Sequence, residues 1–202
     1  MNKEIKNFFH TQLNEHELVL KKTKLHLEKD FIKLVNICVE SVKKKKKIIF
    51  FGNGGSASDS QHLATELTVR FSKNRKAIPA LSLVTDTSTI TAVANDFGFK
   101  YLFSRQIEAI GEKGDVAIGI STSGKSQNVI EGLKSAKKKK IKCIIFTGKN
   151  SEGFGKFCDC IISIPAKNTS RIQEMHITIG QMLCNAIEYK LKLATLVNEE
   201  TK

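Results

Sequence analysis

The sequence predicts an α/β protein built on a doubly wound, five-stranded parallel sheet flanked by helices. Three observations carry that expectation. Five short runs, Ile48–Phe51, Ala80–Val84, Val116–Ile120, Cys143–Phe146 and Cys160–Ile164, are apolar but for Ser82 and Ser163 and do not alternate, as expected of strands covered on both faces. Between them, near 57–71, 88–94, 99–110, 126–137 and 169–194, apolar residues recur at three-to-four spacing, the period of a helix. Strand and helix alternate along the chain, the pattern of a parallel sheet whose ligands gather where strand C-termini meet helix N-termini.

Before the first strand, residues 3–42 hold neither Gly nor Pro and place Leu18, Leu25, Phe31, Leu34, Ile37 and Cys38 at helical spacing. Two helices are expected there, with Asp30 capping the second. With two prolines, no internal repeat and no low-complexity linker, one domain over 1–202 is the economical organisation. Residues 1–45 form a helical extension expected to serve in oligomerisation, and 46–202 form the α/β core.

Composition limits the function classes. The chain has 202 residues, 41% of them hydrophobic, enough for a sizeable core. No apolar run approaches the ~18 residues of a membrane helix. The start, Met1-Asn2-Lys3-Glu4-Ile5, lacks the apolar stretch of a signal peptide, so a cytoplasmic location without membrane attachment is expected. The five cysteines, Cys38, Cys143, Cys158, Cys160 and Cys184, are odd in number and lie mostly in apolar stretches, where a thiol behaves as a small hydrophobe. Cys158-Asp159-Cys160 is too closely spaced for a zinc knuckle. The net charge of +13 owes much to two runs, Lys43–Lys47 and Lys137–Lys140. Each ends a predicted helix, where lysines complement the dipole in solvent. Neither is interleaved with aromatics for stacking on bases, and no nucleic-acid partner is expected.

Four segments carry chemistry. Gly52-Asn53-Gly54-Gly55-Ser56-Ala57-Ser58-Asp59 follows the first strand; it serves either as an anion site or as a tight turn, with Ser56 and Asp59 as a capping pair. It lacks the Gly-Lys-Ser/Thr of a Walker loop and the spacing of a dinucleotide fingerprint. Ser121-Thr122-Ser123-Gly124-Lys125-Ser126 joins hydroxyls, a cation and a helix N-terminus, which suits a phosphate monoester; the alternative is a serine-rich N-cap. His62, Glu66 and Arg70, at i, i+4 and i+8, share a helix face. They could hold a divalent ion, supply a general base beside an imidazole, or form a surface Glu66–Arg70 ion pair. At the last helix, Ser170 and Gln173 fit a capping box, and His176 reads as a core histidine.

Taken together, Gly52–Glu66, Asn95-Asp96-Phe97-Gly98-Phe99, Gly119–Ser126 and Arg171–His176 resemble the phosphoheptose isomerases of the sugar isomerase (SIS) superfamily, from about residue 48 to 190. The resemblance implies a homotetramer with active sites between subunits. It implies conversion of sedoheptulose 7-phosphate to D-glycero-D-manno-heptose 7-phosphate through an enediol, feeding lipopolysaccharide or capsule. It places phosphate on Ser121, Thr122, Ser123 and Ser126, and sugar against Asn53, Gly54, Gly55, Arg70, Asn95 and Asp96. His62, Glu66 and Gln173 are implied zinc ligands, with Glu66 also the base. The family's further histidine, a metal ligand and second acid/base, falls at Gln181. A neutral amide cannot shuttle a proton near pH 7 and binds zinc weakly; losing such a group costs about 10²–10⁴-fold in rate. The other reading is a non-catalytic SIS-domain protein of the kind that binds a replication initiator. That relative lacks both the glutamate and the histidine at these positions, whereas this chain keeps Glu66.

Overall fold

The structure, a computed structural model, describes residues 2–194. Two helices, α1 (Asn2–His26) and α2 (Glu28–Lys43), precede β1 (Ile48–Gly52). There follow α3 (Gly55–Thr68), β2 (Ala80–Ser82), α4 (Thr87–Asp96), a 3₁₀ turn (Phe99–Tyr101) and α5 (Leu102–Ile110). The chain continues through β3 (Val116–Ser121), α6 (Gln127–Lys138), β4 (Lys142–Thr147), a second 3₁₀ turn (Phe154–Lys156), β5 (Cys160–Ser163) and α7 (Thr169–Lys190).

All five strands are parallel, in the order β2-β1-β3-β4-β5. The chain adds β2 on one side of β1 and β3 on the other, so the topology reverses between β1 and β3. That reversal opens a crevice at the strand C-termini. Register sharpens it: Gly52 pairs with Ile120, so the glycine loop and the serine loop leave the sheet side by side.

Successive strand residues face opposite sides. Ile48, Phe50, Ile118 and Phe146 pack with Leu34 and Cys38 of α2, Leu63 and Leu67 of α3, and Leu183 and Ile187 of α7. Ile49, Phe51, Ala117 and Ile145 pack with Val93 of α4, Phe103 and Ile107 of α5, and Val129 and Leu133 of α6. At Gly119 a Cβ would sit 2.8 Å from Val129 Cγ1, so only glycine lets α6 approach β3 this closely.

Helix ends depart from the expected positions for local reasons. Leu27, not Asp30, precedes α2; Asp30 lies inside the first turn, where its charge favours the dipole. α3 opens at Gly55 behind Gly54, with no side-chain cap, so Ser56 and Asp59 are not a capping pair. The cap of α7 is Asn168, which accepts from the amide of Ser170 at 3.1 Å; Ser170 lies within the helix. α3 stops at Thr68 and not near 71, and Arg75 folds back onto the carbonyls of Glu66 and Leu67 that the helix end leaves open. Both lysine runs do lie at helix ends, of α2 and α6. Lys46 and Lys47 pair with Glu112 and Asp115 at 2.9 and 2.7 Å.

Candidate active site

Where the topology reverses between β1 and β3, the two loops leaving the strands are tied together through asparagines. Asn53 donates to Oδ1 of Asn128 at 2.9 Å, and Asn128 donates back to Oδ1 of Asn53 at 2.8 Å. Asn128, on α6, is buried and its Oδ1 also accepts from the amide of Val129. Nothing in the sequence pattern marked Asn128; its role exists only because the two loops meet.

In the serine loop, Ser121 Oγ donates to Ser126 Oγ at 2.9 Å, and Ser123 Oγ accepts from the amide of Lys125 at 3.1 Å. The Asn150 side chain holds the carbonyl of Ser123, and Gly148 donates to the carbonyl of Thr122. Gly124 adopts φ +65° against the carbonyl of Asn150, a conformation and a space that exclude a side chain. Ser126 precedes α6 without capping it through its side chain. Its hydroxyl is turned to the loop, so the helix end offers its own amides to an anion.

On α3, Nε2 of His62 lies 3.0 Å from Glu66 Oε1 and 3.0 Å from the side-chain amide of Gln181 on α7. One ring nitrogen thus faces two polar partners. Protonated, it donates to the carboxylate and Gln181 must offer oxygen; unprotonated, it accepts from the Gln181 N–H. The amide orientation and the ring proton are therefore set together. One turn before His62 stands Asp59, whose Oδ2 is buried without a partner. Burial raises its carboxyl to about 6, with the His62 charge pulling the other way. The sequence suggested only a capping role for Asp59, although its i, i+3 spacing to His62 was visible.

The remaining expected residues are less concentrated. The amide of Gln173 lies where a Cβ on Gly55 would be, so it covers the glycine loop. Gly55 and His62 are seven residues apart on α3, roughly 10 Å, so Gln173 and Gln181 meet α3 at different levels. Arg70 is exposed beyond the end of α3; the helix stops before the third step of the expected face, and Glu66 pairs with His62, not Arg70. Asn95 donates to Asp96 at 2.8 Å, and Asp96 lines a cleft of about 470 Å³ with Asp86 and Arg105 beside β2. No hydrogen bond among the described residues joins that pair to His62 or Glu66.

The start of α7 has a second task. Arg171, buried, donates to the carbonyl of Gln12 at 2.8 Å and pairs with Glu174 at 2.9 Å; Glu174 meets His16 at 2.7 Å. These contacts moor α1 to the core while Gln173, between them, turns to the site.

A parallel sheet with hydroxyl-rich and glycine-rich loops at its reversal, and a carboxylate–imidazole pair beside them, defines a sugar-phosphate-handling protein of the SIS class. The sequence matches the SIS domain family over residues 13–148. It is 49% identical over 181 residues to the phosphoheptose isomerase of Paramagnetospirillum magneticum, covering 90% of this chain and 94% of that one. It is 46% identical over 177 residues to that of Nitratiruptor sp., covering 88% and 95%. The structure of phosphoheptose isomerase from Neisseria gonorrhoeae superposes with a TM-score of 0.86 at 34% identity, covering 91% of this chain and 98% of that one. This chain belongs to the phosphoheptose isomerase family.

Proposed function

We infer that the protein is an aldose–ketose isomerase that converts sedoheptulose 7-phosphate to D-glycero-D-manno-heptose 7-phosphate, supplying heptose for lipopolysaccharide or capsule. The observation that carries this reading is Glu66, held by His62 at 3.0 Å, in a chain similar to phosphoheptose isomerases along almost its whole length. Ser121, Thr122, Ser123 and Ser126 receive the phosphate at the N-terminus of α6. Asn53, Gly54 and Gly55 let the sugar approach the backbone. Glu66 takes the proton from C1 of the ketose and returns it to C2 of the enediol, while a proton passes from O1 to O2. Gln181 can hydrogen-bond the developing oxyanion but cannot carry that proton.

Zinc, implied by the family resemblance, finds His62 and Glu66 as good donors. Gln173 and Gln181 offer only amides, at different levels of α3. Among the described residues no three His, Cys, Asp or Glu side chains converge. That set does not fit a tight zinc site, and no step above passes through a metal. In the assembly, exposed Ile5, Phe8, Phe9 and Leu13 of α1 meet a second copy of the chain, in a tetramer whose neighbours complete the sites.

The test is isomerisation of sedoheptulose 7-phosphate followed by NMR, with wild type, Glu66→Gln and Gln181→His. Wild type turns over, Glu66→Gln loses at least about 10²-fold, and Gln181→His turns over faster. Absence of turnover in both wild type and Gln181→His would overturn the enzyme reading. Ser121→Ala with Ser123→Ala should weaken sugar-phosphate binding in each case.

A further inference from the structure

A helix that stops leaves its last carbonyls without donors, and Glu66 sits in the last turn of α3. Arg75 returns from the following loop to satisfy them. Its Nη2 donates to the carbonyl of Glu66 at 2.9 Å and its Nη1 to that of Leu67 at 2.7 Å. Its Nε donates to Oε1 of Glu188 on α7 at 2.6 Å. Glu188 is also held by the amide of Phe71 at 3.0 Å and the hydroxyl of Ser72 at 3.2 Å. The Arg75 and Glu188 side chains are 2% and 0% exposed.

Glu188 follows Gln181 by seven residues, two turns along the same face of α7. One face of α7 therefore touches α3 at two polar points: Gln181 at His62, and Glu188, through Arg75, at the carbonyl of Glu66. We propose that the buried Arg75–Glu188 pair is a positioning device, fixing the last turn of α3 against α7 and so setting where the Glu66 carboxylate stands relative to His62 and Gln181. This rests on the reading of Glu66 as the base. Stability alone is a poor reason for such a pair, since well-packed apolar residues of similar volume often replace a buried ion pair without loss. Directional bonds to the Glu66 and Leu67 carbonyls are what apolar residues cannot supply.

That contrast supplies the experiment, in the full-length protein. Arg75→Met with Glu188→Leu should keep the melting temperature within a few degrees while kcat falls about 10- to 100-fold, the scale of an ångström of misplacement. KM for sedoheptulose 7-phosphate should stay within about twofold, because the hydrogen bonds of the pair run to Glu66, Leu67, Phe71, Ser72 and Lys76 and none to the serine loop. Arg75→Lys, whose three donors radiate from one nitrogen and cannot span the separated acceptors that the guanidinium fork reaches, should show the same split to a smaller degree, and it decides the matter if the double variant does not fold. A folded variant with wild-type kcat would overturn the proposal, including one whose defect is a rise in KM alone. Glu66→Gln run alongside keeps the two ideas apart: unchanged turnover there sinks the base assignment, not the clamp. If wild type shows no turnover, the His62 ring resonances read the same geometry. They should move in Arg75→Lys, and unmoved resonances overturn the positioning role.

Discussion

His176 lies fully buried against Phe146, with Nε2 3.2 Å from the carbonyl of Thr147 and Nδ1 without a partner. It is a core histidine, as the sequence suggested, but only half satisfied. Burial pushes its pKa down to about 4 from 6.5, the Thr147 carbonyl pulling slightly upward. The folded value lies below the unfolded one, so the unfolded chain binds the proton more readily. Its stabilising contribution is complete above about pH 6.5 and declines as pH falls toward 4, on the order of 3 kcal/mol in all. Asp59 runs the other way. Its raised carboxyl contributes most below about pH 3.8 and loses that contribution as pH rises through about 6. Urea unfolding in an Asp59→Asn background should therefore show the acid decline clearly, and His176→Gln should flatten it. An unchanged slope between pH 6.5 and 4 would contradict the assignment.

The helices α3 and α7 carry the proposed catalytic pair and its amide neighbour, and glycine sets their separation. A Cβ at Gly180 would stand 2.6 Å from Leu63 Cδ1, next to both Gln181 and His62 in sequence. Gly180→Ala gains helix propensity of about 1 kcal/mol, but overpacking at this contact costs about 1–3 kcal/mol. The expected result is a neutral to modestly destabilised protein in which α7 is displaced and the Gln181–His62 contact lengthens. Thermal melting and the His62 ring resonances check it; an unmoved ring would show that Leu63 gives way instead. At this scale the sequence was informative about which elements exist, because apolar runs and helical period are local properties. It was less so about ends. α3 ends at Thr68, before Arg70, and Arg75, which caps its open carbonyls, comes from seven residues beyond that end.

Across the molecule, α1 stands out as a helix of 25 residues in which only Val19 and Thr23 are buried. Ile5, Phe8, Phe9 and Leu13 form one exposed stripe, with Phe8 63% accessible. Apolar stripes of this kind mark association surfaces. If α1 joins the proposed tetramer, Phe8→Glu with Leu13→Glu should lower the mass read by size-exclusion chromatography with light scattering and leave the secondary structure intact. An unchanged mass would place the subunit contacts elsewhere. Arg171, Glu174 and His16 anchor the other half of α1, so the stripe projects from a fixed base.

The sequence by itself determined the sheet, the alternation of helices, and the residue types of the serine and glycine loops, since each depends on neighbours a few positions away. It also showed the exchange at Gln181 against the family pattern. Only the tertiary structure decided that Gln181 touches His62 while Gln173 covers Gly55, that Asn128 locks the two loops, and that Glu188 and Arg75 hold the end of the helix bearing Glu66. Those pairs lie between 75 and 119 residues apart in the chain. What joins them is the order β2-β1-β3-β4-β5 and the packing of α7 on α3. No local pattern records which faces a sheet will bring together.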